Sequence, residues 1–171
     1  MHYYGDKILR TVVRLVNFEL DENLPLLIKS MKIALHQYNG DGIAAPQIGC
    51  SLSLIAINRN DQRDSVDVLI NPKIVFMSNN VESACEQCLS LPGISADIMR
   101  SSVVTICAYN EFGHQYVLEK VEGLLARVIQ HEIDHLNGIL IIDRMTYANR
   151  QMISSKLKVL LKSTKLRMKE K

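Results

Sequence analysis

Gln130-His131-Glu132-Ile133-Asp134-His135 is the stretch from which the rest of the chain is read. On an α-helix each residue turns about 100°, so His131 and His135 stand about 40° apart on one face, one turn above the other. Two imidazoles can then reach a single metal ion, with Glu132 leaning over the same side, close to any water the metal holds. HExxH on a helix is the arrangement for metal-assisted hydrolysis, with the glutamate moving the proton. A surface helix carrying these letters by chance is the competing reading. The mostly apolar flanks, Gly123-Leu124-Leu125-Ala126-Arg127-Val128-Ile129 and Leu136, argue for a buried helix instead.

Length and composition narrow the rest. At 171 residues the chain is read as one domain, long enough to bury a core without disulfides. Apolar residues make up 47% and charged ones 22%, an ordinary globular balance. No run of eighteen apolar residues exists to span a membrane. Met1-His2-Tyr3-Tyr4-Gly5-Asp6 has no basic segment followed by an apolar one, so the expected location is the cytoplasm. Four cysteines, at 50, 85, 88 and 107, fit a reducing compartment. The net charge of +2 conceals an asymmetry: residues 150–171 carry eight Lys/Arg against one acid, Glu170. The remaining body holds twelve basic and seventeen acidic side chains.

Residues 1–22 read as an extended lead-in anchored by Ile8-Leu9 and Val12-Val13. A helix is expected from Asn23 to Tyr38, with Leu24, Leu27, Ile28, Met31, Leu35 and Tyr38 on one face. Asn39-Gly40-Asp41-Gly42 ends it. Ile43-Ala44-Ala45-Pro46-Gln47-Ile48-Gly49 combines small residues that let backbones approach closely. Strands are expected at Ser53–Asn58, Val66–Ile70 and Lys73–Phe76, with a polar turn from Asn60 to Ser65. Val103–Tyr109 and Gln115–Val121 flank Asn110-Glu111-Phe112-Gly113 as a hairpin. The metal helix runs from Glu122 to Leu136, closed by Asn137-Gly138. Ile139–Ile142 is a short strand or turn, and a last helix fills Tyr147 to Met168. The fold class is therefore α+β: short antiparallel strands packed around the HExxH helix, with helices at both ends.

A catalytic metal generally takes three protein ligands and keeps one open position. Candidates for the third are His2, His36, His114, the cysteines and several carboxylates. Cys88 stands out in Glu86-Gln87-Cys88-Leu89-Ser90-Leu91-Pro92-Gly93, where an acid and a thiol lead into a Pro-Gly turn. The CxxC formed by Cys85 and Cys88 offers a rival reading, a redox pair or half a structural zinc site. A structural site would leave Glu132 without a task, and a redox CxxC usually opens a helix. Cys50 and Cys107 read as plain buried residues.

Three segments together resemble one family, the peptide deformylases: Gly40-Asp41-Gly42-Ile43-Ala44-Ala45-Pro46-Gln47, Glu86-Gln87-Cys88-Leu89-Ser90 and Gln130-His131-Glu132-Ile133-Asp134-His135. They follow the family's GxGxAAPQ, EGCLS and QHExDH blocks in order. The likeness runs from Tyr4-Gly5-Asp6 to Ile142-Asp143-Arg144. The resemblance implies removal of the formyl group from N-terminal formyl-methionine of nascent proteins, releasing formate. It implies one divalent metal ion on Cys88, His131 and His135, natively Fe²⁺ in many members, with Zn²⁺, Ni²⁺ or Co²⁺ able to replace it. Glu132 would be general base and then proton donor to the leaving amine. The Gln47 amide and the Leu89 backbone N–H would stabilise the oxyanion. Gly42 would hold the substrate backbone, Leu124 and Val128 would line the methionine pocket, and Glu86 and Arg100 would pair to brace the site. Ordinary core packing is the alternative for Leu124 and Val128.

Two positions depart from the family pattern. Gln87 replaces the glycine before the thiolate, where a positive φ or close contact with substrate would make it a strain or an obstruction. Asp41 replaces the apolar residue usual between the two glycines, making the pocket rim more polar or supporting the turn. In the basic tail, Ile153, Leu157, Leu160, Leu161 and Met168 follow helical spacing with lysines on the other faces. Such a helix either docks with a solvated basic face or is drawn to ribosomal RNA. Two other functions remain open at this point. One is a zinc peptidase, which would generally use His or Glu where Cys88 stands. The other is a non-catalytic ribosome- or peptide-binding relative whose site Gln87 has altered.

Overall fold

The computed structural model describes residues 1–59 and 66–169, so the polar turn expected over Asn60 to Ser65 lies outside the described residues. The lead-in contains a single 3₁₀ turn, Lys7–Arg10. Helix α1, Leu24–Tyr38, follows and buries Leu24, Ile28, Met31 and Leu35 along one stripe. Asn39 caps it in the left-handed conformation (φ 53°). Then come β1 (Gly42–Ala44), a 3₁₀ turn at Ala45–Ile48, β2 (Leu54–Asn58), β3 (Val66–Met77), β4 (Val81–Gln87), β5 (Ser95–Ser101), β6 (Val103–Tyr109) and β7 (Gln115–Glu122). The chain closes with α2 (Gly123–Leu136), α3 (Ile141–Arg144), α4 (Tyr147–Met152) and α5 (Ser154–Lys169).

All the pairings between these strands are antiparallel. A five-stranded sheet runs in the order β1-β2-β3-β6-β7, and β4 pairs with β5 in a separate ribbon. Helix α2 touches β1, β2, β6 and β7 of the larger sheet and β5 of the ribbon. Strand β2 shows why its sequence is an unbroken apolar run rather than an alternating one. Leu54 and Ala56 enter the cluster built on α1, whereas Ile55 and Ile57 enter the cluster built on α2. Both faces of the strand are covered, and each buried Leu or Ile contributes about 1.5–3 kcal/mol.

Several expectations need correction. The two strands expected at Val66–Ile70 and Lys73–Phe76 are one strand, bent by a register shift between Ile70 and Lys73. Asn71, at φ 52°, forms that bulge, and Pro72 is tolerated where the ladder is interrupted. Strands β4 and β5 were not expected at all. The residues after Gly138 start a helical turn at Ile141, not a strand. The final helix is broken at Ile153 into α4 and α5. In the lead-in, Leu9 and Val16 are the buried anchors, while Val12 is exposed. In α5, Leu157 is buried but Met168 is exposed.

Asn71 also stitches the lead-in to the sheet: its Oδ1 accepts from the Val16 N–H (2.8 Å), and its Nδ2 donates to the Val16 carbonyl (3.0 Å). Asn71→Ala should lower unfolding free energy by about 1–3 kcal/mol, since two backbone groups lose partners and the left-handed backbone loses a tolerant residue. Asn71→Gly should recover the backbone part alone. Urea denaturation of the three proteins separates the two contributions.

Candidate metal centre and active-site cleft

Helix α2 carries His131, Glu132 and His135 inward, all buried. Cys88 follows the last residue of β4, and the turn beyond it is closed by Leu91 N–H donating to the Cys88 carbonyl (2.9 Å). One donor atom each from Cys88, His131 and His135 lies within 4.8 Å of the others. Cys88 Sγ is 3.2 Å from His135 Nε2. His131 Nδ1 faces Glu86 Oε2 at 3.0 Å, which leaves its Nε2 for the site. Among the described residues, Glu132 Oε2 and His135 Nδ1 are buried with no hydrogen-bond partner. A thiol and two imidazoles beside an unpartnered carboxylate oxygen fit a divalent transition metal with an open position.

The electrostatics point the same way. Burial alone would strip the proton from His131, but hydrogen bonds to Cys88 and Glu86, with the Glu132 charge, hold its pKa up at about 10. Burial and the neighbouring His131 charge push His135 well below its ordinary value. Burial raises Glu132 to about 7, against the lowering influence of His131 and Arg100. A carboxyl near neutrality can take a proton and return it.

Glu86 is the hub of the support. Burial pushes its carboxyl up, yet hydrogen bonds from Arg100 and His131 outweigh that and hold it at about 2. Arg100 grips Glu86 with two hydrogen bonds (Nε 2.7 Å, Nη2 2.8 Å) and reaches Asp134 with Nη1 (2.7 Å). Arg127 adds Nη1 to Glu86 (2.8 Å) and to the Ile98 carbonyl (2.7 Å). Asp134 is also held by Arg144.

Gln47 is oriented by its neighbours. Its Oε1 accepts from the Ala44 N–H (2.8 Å), which turns Nε2 toward Ser90 Oγ (3.2 Å) and Cys88 Sγ (3.9 Å). Among the described residues no hydrogen bond engages the Leu89 N–H. The Gly42 backbone presses against α2: a Cβ there would lie 2.7 Å from both Glu132 Oε1 and Val128 Cγ1. Residues 2–5 form a strap over these loops. His2 N–H donates to the Gln47 carbonyl (2.7 Å) and Tyr4 N–H to the Ser90 carbonyl (2.9 Å). Helix α5 backs the strap, with Leu161 against Gly5 and Arg167 4.7 Å over the Tyr3 ring.

These parts open onto a cleft of about 540 Å³. Gly42, Gln47, Glu86, Cys88, Leu89, Leu124, Val128, His131 and Glu132 all line it; Arg100 and His135 stand behind. Leu124 is 65% exposed, which rules out core packing as its role. A sequence profile of the polypeptide deformylase family matches residues 1–151. The chain belongs to the peptide deformylase family. It is 40% identical to the peptide deformylase of Thermotoga maritima over 95% of this chain and 96% of that one. The Carboxydothermus hydrogenoformans peptide deformylase is 41% identical over 82% and 88%. The crystal structure of the Plasmodium falciparum peptide deformylase matches with a TM-score of 0.88 at 34% identity, covering 96% of each chain. Peptide deformylases are metal-dependent hydrolases of protein biosynthesis, and this chain's Cys-His-His group can hold a metal.

Sequence reasoning missed Ser90, Arg127, Asp134 and Tyr3. Arg127 had a signal, because it stands four residues before His131 and so shares its helix face. Asp134 sat inside the quoted motif. Tyr3 carried no local mark. Cys85 is exposed and stands outside the ligand group, so the CxxC is not a working pair here. Cys50 and Cys107 are half-buried rather than buried. Gln87 is exposed, lines the cleft and has no positive φ, so it introduces no backbone strain.

A proton must leave His131 for metal to bind, so affinity should fall as pH drops and rise with pH toward about 10. Calorimetric titration with Zn²⁺ in buffers of different ionisation heat should detect at least about one proton released at neutral pH. Gly42→Ala should cost about 1–3 kcal/mol in denaturation, because its new methyl meets Glu132 and Val128.

Proposed function

We propose that Cys88, His131 and His135 hold one divalent ion and that Glu132 works beside it to hydrolyse the formyl group of formyl-methionyl peptides. Supporting this is the meeting of three donor atoms within 4.8 Å next to a buried, unpartnered Glu132 oxygen. Fe²⁺ is the proposed native ion, with Zn²⁺, Ni²⁺ or Co²⁺ as substitutes suited to the same thiolate and imidazole donors. The ion would supply Lewis acidity, lowering the pKa of a water and polarising the formyl oxygen.

The chain's own groups do the rest. Glu132 takes the proton from the attacking water and returns it to the leaving amine, a task suited to a carboxyl near 7. Gln47 Nε2 and the Leu89 N–H donate to the oxygen on which negative charge develops, typically worth a few kcal/mol each. Ala44 keeps the Gln47 amide from turning away. Glu86, clamped by Arg100 and Arg127, fixes the His131 ring. Strand β1 is an edge of the larger sheet. Asn58 N–H donates to the Asp41 carbonyl (2.9 Å), so by alternation the Gly42 backbone groups point to the open side. An extended peptide adds there as a further strand, with its methionine side chain between Leu124 and Val128.

The whole chain is read as one catalytic domain acting in the cytoplasm. Six exposed basic residues of α5, from Lys156 to Lys169, give it a cationic face suited to ribosomal RNA. Among the described residues no helix is long and apolar enough to cross a membrane.

Formate release from a formyl-Met-Ala-Ser peptide tests the reading, using oxygen-free protein loaded with Fe²⁺. Glu132→Ala should lower turnover by about 10²–10⁴-fold while keeping one ion per chain. A variant that turns over like the wild type would overturn the role given to Glu132. Gln87→Gly should change KM more than kcat, because the exposed Gln87 side chain lines the cleft and contributes no donor to the ligand group.

A further inference from the structure

We propose that Asp41 selects among substrates by charge, favouring formyl-methionyl peptides that carry a lysine or arginine shortly after the methionine. The proposal rests on the hydrolase reading above and adds a residue that reading does not use. Four side chains with formal charge line the cleft besides His131: Asp41, Glu86, Arg127 and Glu132. Glu86 and Arg127 neutralise each other, with Arg100 behind them. Glu132 is buried at the floor. Asp41 is exposed, and among the described residues no cation pairs with it. Among the described residues that line the cleft, it is thus the uncompensated charge that an incoming peptide meets at the rim.

Its position along the cleft decides which part of the peptide it meets. The formyl end is held beside Gln47, whose amide is pinned to Ala44. From there an extended peptide runs antiparallel along the open edge of β1, past Gly42 and toward Asp41. Each residue advances about 3.3 Å, so the methionine occupies the Leu124–Val128 side and the following residues pass the carboxylate. A lysine or arginine there gains attraction across a few ångströms, and a glutamate meets repulsion. Asn58 steadies the backbone on both sides through separate groups, its N–H donating to the Asp41 carbonyl (2.9 Å) and its Nδ2 to the Gly40 carbonyl (2.7 Å). The Asp41 side chain is therefore not needed to shape the turn.

The test is a ratio of kcat/KM values, measured by formate release with Fe²⁺-loaded protein. Peptides formyl-Met-Lys-Ser, formyl-Met-Ala-Lys and formyl-Met-Ala-Ser-Lys are compared with counterparts carrying glutamate in place of lysine. At low salt the best lysine peptide should exceed its glutamate partner by about fivefold, the combined effect of one exposed attraction and one repulsion. Asp41→Asn should bring that ratio close to one, and Asp41→Lys should invert it. Raising the salt to about 1 M should shrink the wild-type ratio. Ratios that are the same in all three proteins overturn the proposal. If no peptide releases formate from metal-loaded protein, the hydrolase reading fails, and the proposal fails with it.

Discussion

The hydrogen-bonded ion network of Glu86, Arg100, Arg127 and Asp134 joins the β4–β5 ribbon to helix α2, two parts of the chain that share no ladder. Glu86 belongs to β4, Arg100 to β5, and Arg127 and Asp134 to α2. Burying such charges is unfavourable unless each is paired and its remaining hydrogen-bond capacity is used. Here Arg100 spends all three of its nitrogens on two carboxylates. The result is a fixed distance between the Cys88 turn, which follows β4, and the two histidines on α2. Glu86 then does a second thing, holding the His131 ring through Nδ1. The proposed ligand group, drawn from a strand end and a helix, thus depends on a network whose members Arg100, Arg127 and Asp134 lie outside it.

The larger sheet serves the site differently. It presents β1 as a short edge with the Gly42 backbone groups toward the cleft and the Ala44 N–H engaged by Gln47, while the residues behind it are packed between two helices. Glycine at position 42 lets that edge lie against α2 close enough to put Glu132 beside it. The side chains proposed for catalysis therefore come from rigid elements on one side and from turns on the other, each turn held by backbone hydrogen bonds from residues 2–5.

Much of this was legible in the sequence because the chemistry is carried by residues close together in the chain. HExxH spacing placed two donors and a carboxylate on one helix face by geometry alone. The block around Cys88 was legible only as a setting, and its role came from resemblance. Strands β4 and β5 were missed for a physical reason. Glu86 is the one buried residue of β4, and in β5 Arg100 takes the inward position after Ala96 and Ile98, so burial there partly follows charge pairing and the apolar alternation is too short to read. The join between Val66–Ile70 and Lys73–Phe76 was hidden because Asn71-Pro72 reads locally as a turn, whereas tertiary pairing carries the strand across it. Contacts such as Tyr3 with Arg167 leave no local trace at all, since they join residues at opposite ends of the chain.

That last contact sets an order of events during synthesis. Residues 2–5 are made well before the helix that backs them, which lies about 160 residues further along, at Leu161 and Arg167. At about 5–20 residues per second the delay is roughly ten to thirty seconds. During that interval the strap over Gln47 and Ser90 has nothing behind it. The frame of a site for trimming newly made chains is thus braced only long after the strap, Gln47 and Ser90 have themselves been made.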